Sequence, residues 1–189
     1  MRSIGEQAGA EKVSKTPTFL IKQLQEHVEN DRGVKEGKPY YANVHCDLTW
    51  VFVPENTDRQ MFYHACEVCK KKVMTDGAGF SCESCNRTFK KSVPTYNFSI
   101  KVSDCSGTIS IGCFGEIGET VLGINCQQFF AIHEDAHAVK ELTLNRLHEN
   151  PMTLVIRAKA DFNAGEQVVR YTAVRAVEHS YQNANANLL

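Results

Sequence analysis

Four of the eight cysteines stand in two close pairs, Cys66-Glu67-Val68-Cys69 and Cys82-Glu83-Ser84-Cys85, with 12 residues between the pairs. A Cys-x-x-Cys turn brings two thiolates close enough to share one ion, and two such turns complete the tetrahedral set that zinc takes at about 2.3 Å. The intervening segment carries Gly77 and Gly79 and has the length of a small hairpin. Four cysteine ligands leave no open position for water or substrate, so the expected site is one structural zinc ion with no catalytic role. The rivals are a redox-active Cys-x-x-Cys, which explains one pair but not two, and an iron–sulfur cluster. Lys70, Lys71 and Lys72 beside the first pair would offset the charge of a tetrathiolate. Cys46, Cys105, Cys113 and Cys126 fall singly and read as small core residues, which implies a reducing compartment.

A second pattern competes for metal chemistry. His133-Glu134-Asp135-Ala136-His137 matches His-Glu-x-x-His, in which two histidines one helical turn apart hold zinc and the glutamate activates water. That reading needs an unbroken helix and a third ligand. Here the motif is a polar break between apolar stretches, and Glu149, Glu166 and Glu178 fall at a helix end, a turn and a strand end. Solvated histidines at helix ends are the expectation, and no enzyme activity is assigned.

Charge is unevenly spread. The net charge is −1, yet residues 64–95 hold six basic residues against three acidic ones, so positive charge gathers on the cysteine segment. Capture of a single strand without sequence choice needs flat aromatic faces for bases and a basic groove for phosphates. Phe162 lies at the turn between the last two strands, where burial is difficult. Phe114 is out of phase with its inward neighbours Ile111 and Cys113, and Trp50 lies on the first strand; for both, groove and core stay open. Lys101 shares the outward face of its strand with Asn97 and Ser99, Arg157 and Lys159 share another, and Arg170 lies across the hairpin from them. Lys71, Lys72, Lys90 and Lys91 would extend a phosphate track over the cysteine segment. Phe80 and Phe89 flank the second pair and are assigned to that segment's own small core.

The elements that must position these residues follow from periodicity. With 42% hydrophobic and 23% charged residues the chain can bury a core of one ordinary domain. No apolar run reaches membrane-span length, and the polar start lacks a secretory signal, so a soluble intracellular protein is expected. Residues 1–37 read as a polar linker or edge helix, with Phe19, Leu20, Ile21 and Leu24 at helical spacing after Pro17. Tyr40–Val53, rich in aromatic and β-branched residues and closed by Pro54, is a long strand. Thr95–Ser103 and Thr108–Phe114 alternate and form a hairpin across Asp104–Gly107. Gly115–Glu149 holds two or three helices, broken near Gly123 and at His133–Asp135. Met152–Ala160 and Gln167–Val177 form a second hairpin across Asn163-Ala164-Gly165. The fold class is therefore mainly β: a five-stranded oligonucleotide/oligosaccharide-binding (OB) barrel with a helical segment between strands three and four. The domain spans residues 38–180, with the zinc segment inserted at 64–92 and a tail at 181–189.

Phe62-Tyr63-His64-Ala65-Cys66, the run from Cys85 to Phe89, Phe114-Gly115-Glu116 with Val121-Leu122-Gly123, and Ile156 through Asn163 with the final strand resemble a known family. It is the C-terminal DNA-binding domain of the large subunit of replication protein A, and the resemblance covers Lys38 to Glu178. It implies an OB barrel with a zinc ribbon inserted after the first strand, and nuclear single-stranded DNA binding in replication, repair and recombination. It also implies a heterotrimer with smaller OB-fold subunits that meet through C-terminal helices, and no membrane. Phe162 matches a position the family uses for stacking. Two departures stand out: some members have a wider gap in the first cysteine pair, and this sequence stops at Leu189 where the family has a longer amphipathic helix. The alternatives are a paralogue specialised for telomeric single strands and telomerase, and a barrel that binds only protein.

Overall fold

A computed structural model describes residues 16–54, 59–77, 79–147, 151–163 and 166–179, apart from the side chains of Asp76 and Asn163. Residues 1–15, the turn at 164–165 and the tail at 181–189 lie outside the described residues. The strands are β1 (Tyr40–Val51), β2 (Phe62–Ala65), β3 (Met74–Asp76), β4 (Gly79–Cys82), β5 (Arg87–Phe89), β6 (Val93–Ser103), β7 (Thr108–Phe114), β8 (Met152–Asn163) and β9 (Glu166–Glu178). The helices are α1 (Ile21–Asn30), α2 (Arg32–Lys35), α3 (Glu116–Leu122), α4 (Cys126–Ile132) and α5 (Ala136–Asn145). Contacts divide the chain into two compact units, each described by itself.

The first unit comprises residues 16–50, 100–112 and 151–179. Its strands follow the order β1-β8-β9-β7-β6, and β6 also pairs with β1, so the sheet closes into the expected five-stranded ring. The long antiparallel ladder of β8 and β9 carries a bulge between Val155 and Ile156. Between β7 and β9 the ring is joined in parallel at the rung Gly112 to Thr172. Alternation dictates which residues fill it: Ala42, Val44 and Cys46 of β1 stand opposite Ile156, Leu154 and Met152 of β8, all six buried, and Leu48 continues the buried set.

Helix α1 belongs to the same core. Its apolar stripe Ile21, Leu24 and Val28 is buried. The leading residue, Leu20, has no side chain that can cap the helix, and the cap comes from the turn between β6 and β7 instead. Asp104 Oδ2 accepts the Ile21 N–H at 2.7 Å and Ser106 Oγ accepts the Lys22 N–H at 3.0 Å. Burial pushes the Asp104 carboxyl up, but the Ser106 hydroxyl and the N–H groups of Ile21, Ser106 and Gly107 more than offset it and hold the group below its ordinary value.

The second unit comprises residues 51–54, 59–99 and 113–147. Strand β2, too short for its alternation to mark it in the sequence, pairs with the start of β6 from Phe62–Tyr96 to Ala65–Val93. An insert of three short antiparallel strands, β3-β4-β5, follows β2. Helices α3 to α5 occupy the stretch expected to be helical. Gly123 ends α3 in the left-handed conformation (φ 73°), which glycine adopts without a Cβ penalty. Asn125 caps α4 and Asp135 caps α5. Gly118 lets α3 lie against β6 so closely that a Cβ there would stand 2.6 Å from Tyr96 Cβ.

Candidate functional site

The four paired cysteines converge in the second unit, their Sγ atoms all within 4.8 Å of one another. Cys66 Sγ is 3.8 Å from Cys85 Sγ, and Cys69 Sγ is 3.5 Å from Cys82 Sγ. Tetrahedral thiolates about 2.3 Å from a metal stand roughly 3.8 Å apart, so the set has the dimensions for one ion. Both turns have the same local form. Each is followed by a non-glycine residue at positive φ, Lys70 at 60° and Asn86 at 49°. Backbone N–H groups of Cys69 and Val68 lower the Cys66 thiol to about 7 against the opposing effect of burial. Cys69 and burial push Cys85 up to about 12. Cys66, Val73 and Cys82 form a small buried core with Phe80 and Phe89 packed on it, the place expected of both aromatics. These four cysteines could hold a metal ion, and they form the cluster with that capacity among the described residues.

A cleft of ≈ 850 Å³ opens beside this insert within the same unit. Phe52, Tyr63, His64 and Phe114 supply aromatic surface, and Arg59, Lys71 and Lys72 supply positive charge. No carboxylate lines it among the described residues. Arg59 Cζ stands 5.4 Å above the Phe52 ring, and Lys71 Nζ donates to Ser84 Oγ at 2.9 Å, so both cations are held by partners. Phe114 is 47% exposed at the end of β7. Of the residues singled out from the sequence, Phe114, Lys71 and Lys72 meet here, while Lys90 and Lys91 are exposed just beyond β5.

The first unit carries the other candidates in separate places. Trp50 shares the parity of buried Leu48, which would put it in the barrel, yet it is 41% exposed. The inward phase shifts at the end of β1, where Val51 is buried instead. Lys101 Nζ lies 5.4 Å over the Trp50 ring. Phe162, at the end of β8, is 75% exposed. Arg157 and Lys159 are exposed on β8, and Arg170 faces Lys159 across the ladder. Arg170 differs from its neighbours: its Nε is 3.1 Å from Asp161 Oδ2, so part of its charge is already matched.

The His-Glu-x-x-His geometry is absent. His133 ends α4, and Asp135 starts α5 by accepting the N–H groups of His137 and Ala138. The two histidines therefore sit on different helices. His133 donates Nδ1–H to the Phe130 carbonyl at 2.6 Å and stacks on the Phe130 ring.

The profile of the replication factor-A C-terminal domain family matches residues 41–188. This chain belongs to that family. The Crithidia fasciculata replication factor A 51 kDa subunit is 32% identical over 139 residues, which are 70% of this chain and 28% of that protein. The chain thus spans less than a third of the length of the curated relatives it matches. Among solved structures, a chain from a replication protein A heterotrimer bound to ssDNA is 25% identical with a TM-score of 0.72, covering 92% of this chain and 39% of that one. A chain from yeast RPA bound to ssDNA shares the fold at 21% identity and a TM-score of 0.69, covering 92% of this chain and 94% of that one. The barrel expected from the order of elements is therefore the barrel of this replication factor-A family.

Phe52, Arg59, Tyr63 and His64 line the cleft of this family member without having been named as binding residues from the sequence. Phe52 reads there as the tail of a strand, and Arg59 stands alone in a polar loop. The signal that could have found them is their closeness in sequence to the cysteine pairs on one side and to Trp50 on the other.

Proposed function

We propose that this chain is a nonenzymatic single-stranded DNA-binding and assembly domain of a replication protein A-type large subunit. It would act in nuclear DNA replication, repair and recombination, with smaller OB-fold subunits as partners. The observation that carries this reading is the carboxylate-free cleft, where Phe52 and Phe114 offer faces for bases and Arg59, Lys71 and Lys72 offer charge for phosphates. Trp50 with Lys101 and the exposed Phe162 add further stacking surface. Zinc is the metal that four cysteines at these distances fit best, and its role is to fold the insert that bears Lys71 and Lys72.

Fluorescence anisotropy of labelled single-stranded oligonucleotides across a salt series tests the proposal. The expected result is binding at low salt, with log affinity falling linearly against log salt at about 0.7 per phosphate neutralised. Absence of binding at low salt overturns it.

A further inference from the structure

The outward face of β1, β8 and β9 carries a second concentration of positive charge. Ladder register fixes who stands beside whom. Tyr41 faces Arg157, Arg157 faces Thr172, Lys159 faces Arg170 and Val155 faces Arg175. The alternate residues Ala42, Ile156, Ala158 and Ala173 are buried, so Tyr41, Arg157, Lys159, Arg170 and Arg175 share the outward side. Val155, on the same side of β8, is itself buried; among the exposed residues Arg157, Lys159 and Asp161 and their ladder partners on β9, the one carboxylate is Asp161, and it is engaged by Arg170. Arg157, Lys159 and Arg175 have no ion-pair partner among the described residues. A chain of net charge −1 thus sets three cations without an ion-pair partner among the described residues on one face.

Spacing and shape indicate what this face suits. Successive outward positions on a strand repeat every 6.6 to 6.8 Å, roughly twice the 3.3 to 3.4 Å rise per residue. Arg157 and Lys159 therefore stand one such repeat apart along β8, with Arg175 beside them on β9, a spacing that an extended phosphate backbone can follow. Tyr41, 44% exposed on the same rung as Arg157, adds a flat ring beside them. A merely solvated face needs no such ring, and an acidic peptide would gain little from it, whereas a base stacks on it.

We infer that the outward face of β1, β8 and β9 is a second binding face for single-stranded nucleic acid, separate in its residues from the cleft. It rests on the reading of this chain as a single-strand binder, because the ring is argued to stack on bases. Long strands engage both faces and short ones engage the cleft alone.

The test compares the full chain with Arg157→Ala/Lys159→Ala/Arg175→Ala and with Phe114→Ala, all at exposed positions, after thermal melts confirm folding. Each is titrated with oligothymidylates of about 8 and about 30 nucleotides, bracketing the roughly 4–16 nucleotides held per OB fold. The triple variant is expected to bind the short strand as the parent does, and to lose salt slope on the long one by about 2, or 0.7 for each of three phosphates. Phe114→Ala is expected to weaken both. An unchanged slope on the long strand overturns the second face, and so does an equal loss on the short strand, which would merge this face with the cleft. Polyglutamate of equal charge that displaces the long strand from the parent but not from the triple variant at matched salt would assign the face to an acidic protein and overturn the inference. If the parent binds the long strand only, and the triple variant loses it, the second face stands and the cleft reading fails.

Discussion

Gly118→Ala should destabilise this domain even though alanine is the better helix former. On an exposed helix the exchange gains about 1 kcal/mol. In α3 the new Cβ would meet Tyr96 Cβ at 2.6 Å, Tyr96 Cγ at 2.8 Å and Phe98 Cε1 at 2.9 Å. Tyr96 Cβ is fixed to the backbone of β6 and cannot swing aside, and both rings are buried. The helix must therefore retreat from the strand, and overpacking of this kind costs about 1–3 kcal/mol. Three contacts under 3.0 Å place the cost at the upper end, for a net loss of about 2 kcal/mol. Urea unfolding followed by tryptophan fluorescence and far-UV circular dichroism measures it as a lower midpoint at unchanged slope. Gly107→Ala is the control: its Cβ would stand 3.9 Å from Ile21 Cγ2, an ordinary contact, and stability should hold within about 0.5 kcal/mol. If Gly118→Ala is as stable as the parent, the close approach of α3 to β6 is not what that glycine serves.

Metal analysis of the purified chain should give one zinc per molecule, and Cys82→Ser should lose the metal together with the protease resistance of the insert; a metal-free yet resistant variant would remove zinc from the account. Asp104→Ala should cost about 1–2 kcal/mol by uncapping α1 from a distance, measured by urea unfolding. Because the native carboxyl lies below its ordinary value, that difference should be complete above the usual carboxylate range near pH 4 and should shrink as pH falls through the native value. A difference that grew on acidification would contradict the capping geometry. Phe162→Ala, at a side chain 75% exposed, should leave the melting temperature unchanged and weaken single-strand binding by about 1–3 kcal/mol in anisotropy titrations.

The helical stretch and the two hairpins were legible because their signals are local. Alternation marks β6 and β7, Gly123 ends a helix where a left-handed residue is needed, and Asp135 starts one by folding its own carboxylate onto the next turn. The four cysteines were legible for the same reason, since each pair lies within one turn. Trp50 shows the limit of local pattern: the sequence leaves it open between groove and core, and the phase shift at Val51 turns it outward. The cap of α1 by Asp104 comes from 83 residues away, and no local pattern announces it. Likewise Arg175 joins Arg157 through the register of β9, which a bulge at Val155 resets, so their grouping cannot be counted off along the chain.

The join between β7 and β9 at Gly112 and Thr172 bears on how the barrel breathes. By contrast β8 is held to β1 by seven rungs and to β9 by the twelve-residue ladder from Met152 to Asn163. A seam held at one described rung should part at lower cost than either of those two ladders, and its amides should exchange with solvent before those of β8. Parting there would bare two strand edges, each able to accept a strand from another chain. The barrel therefore carries, in the same ring that closes it, a latent point of entry for β-strand addition.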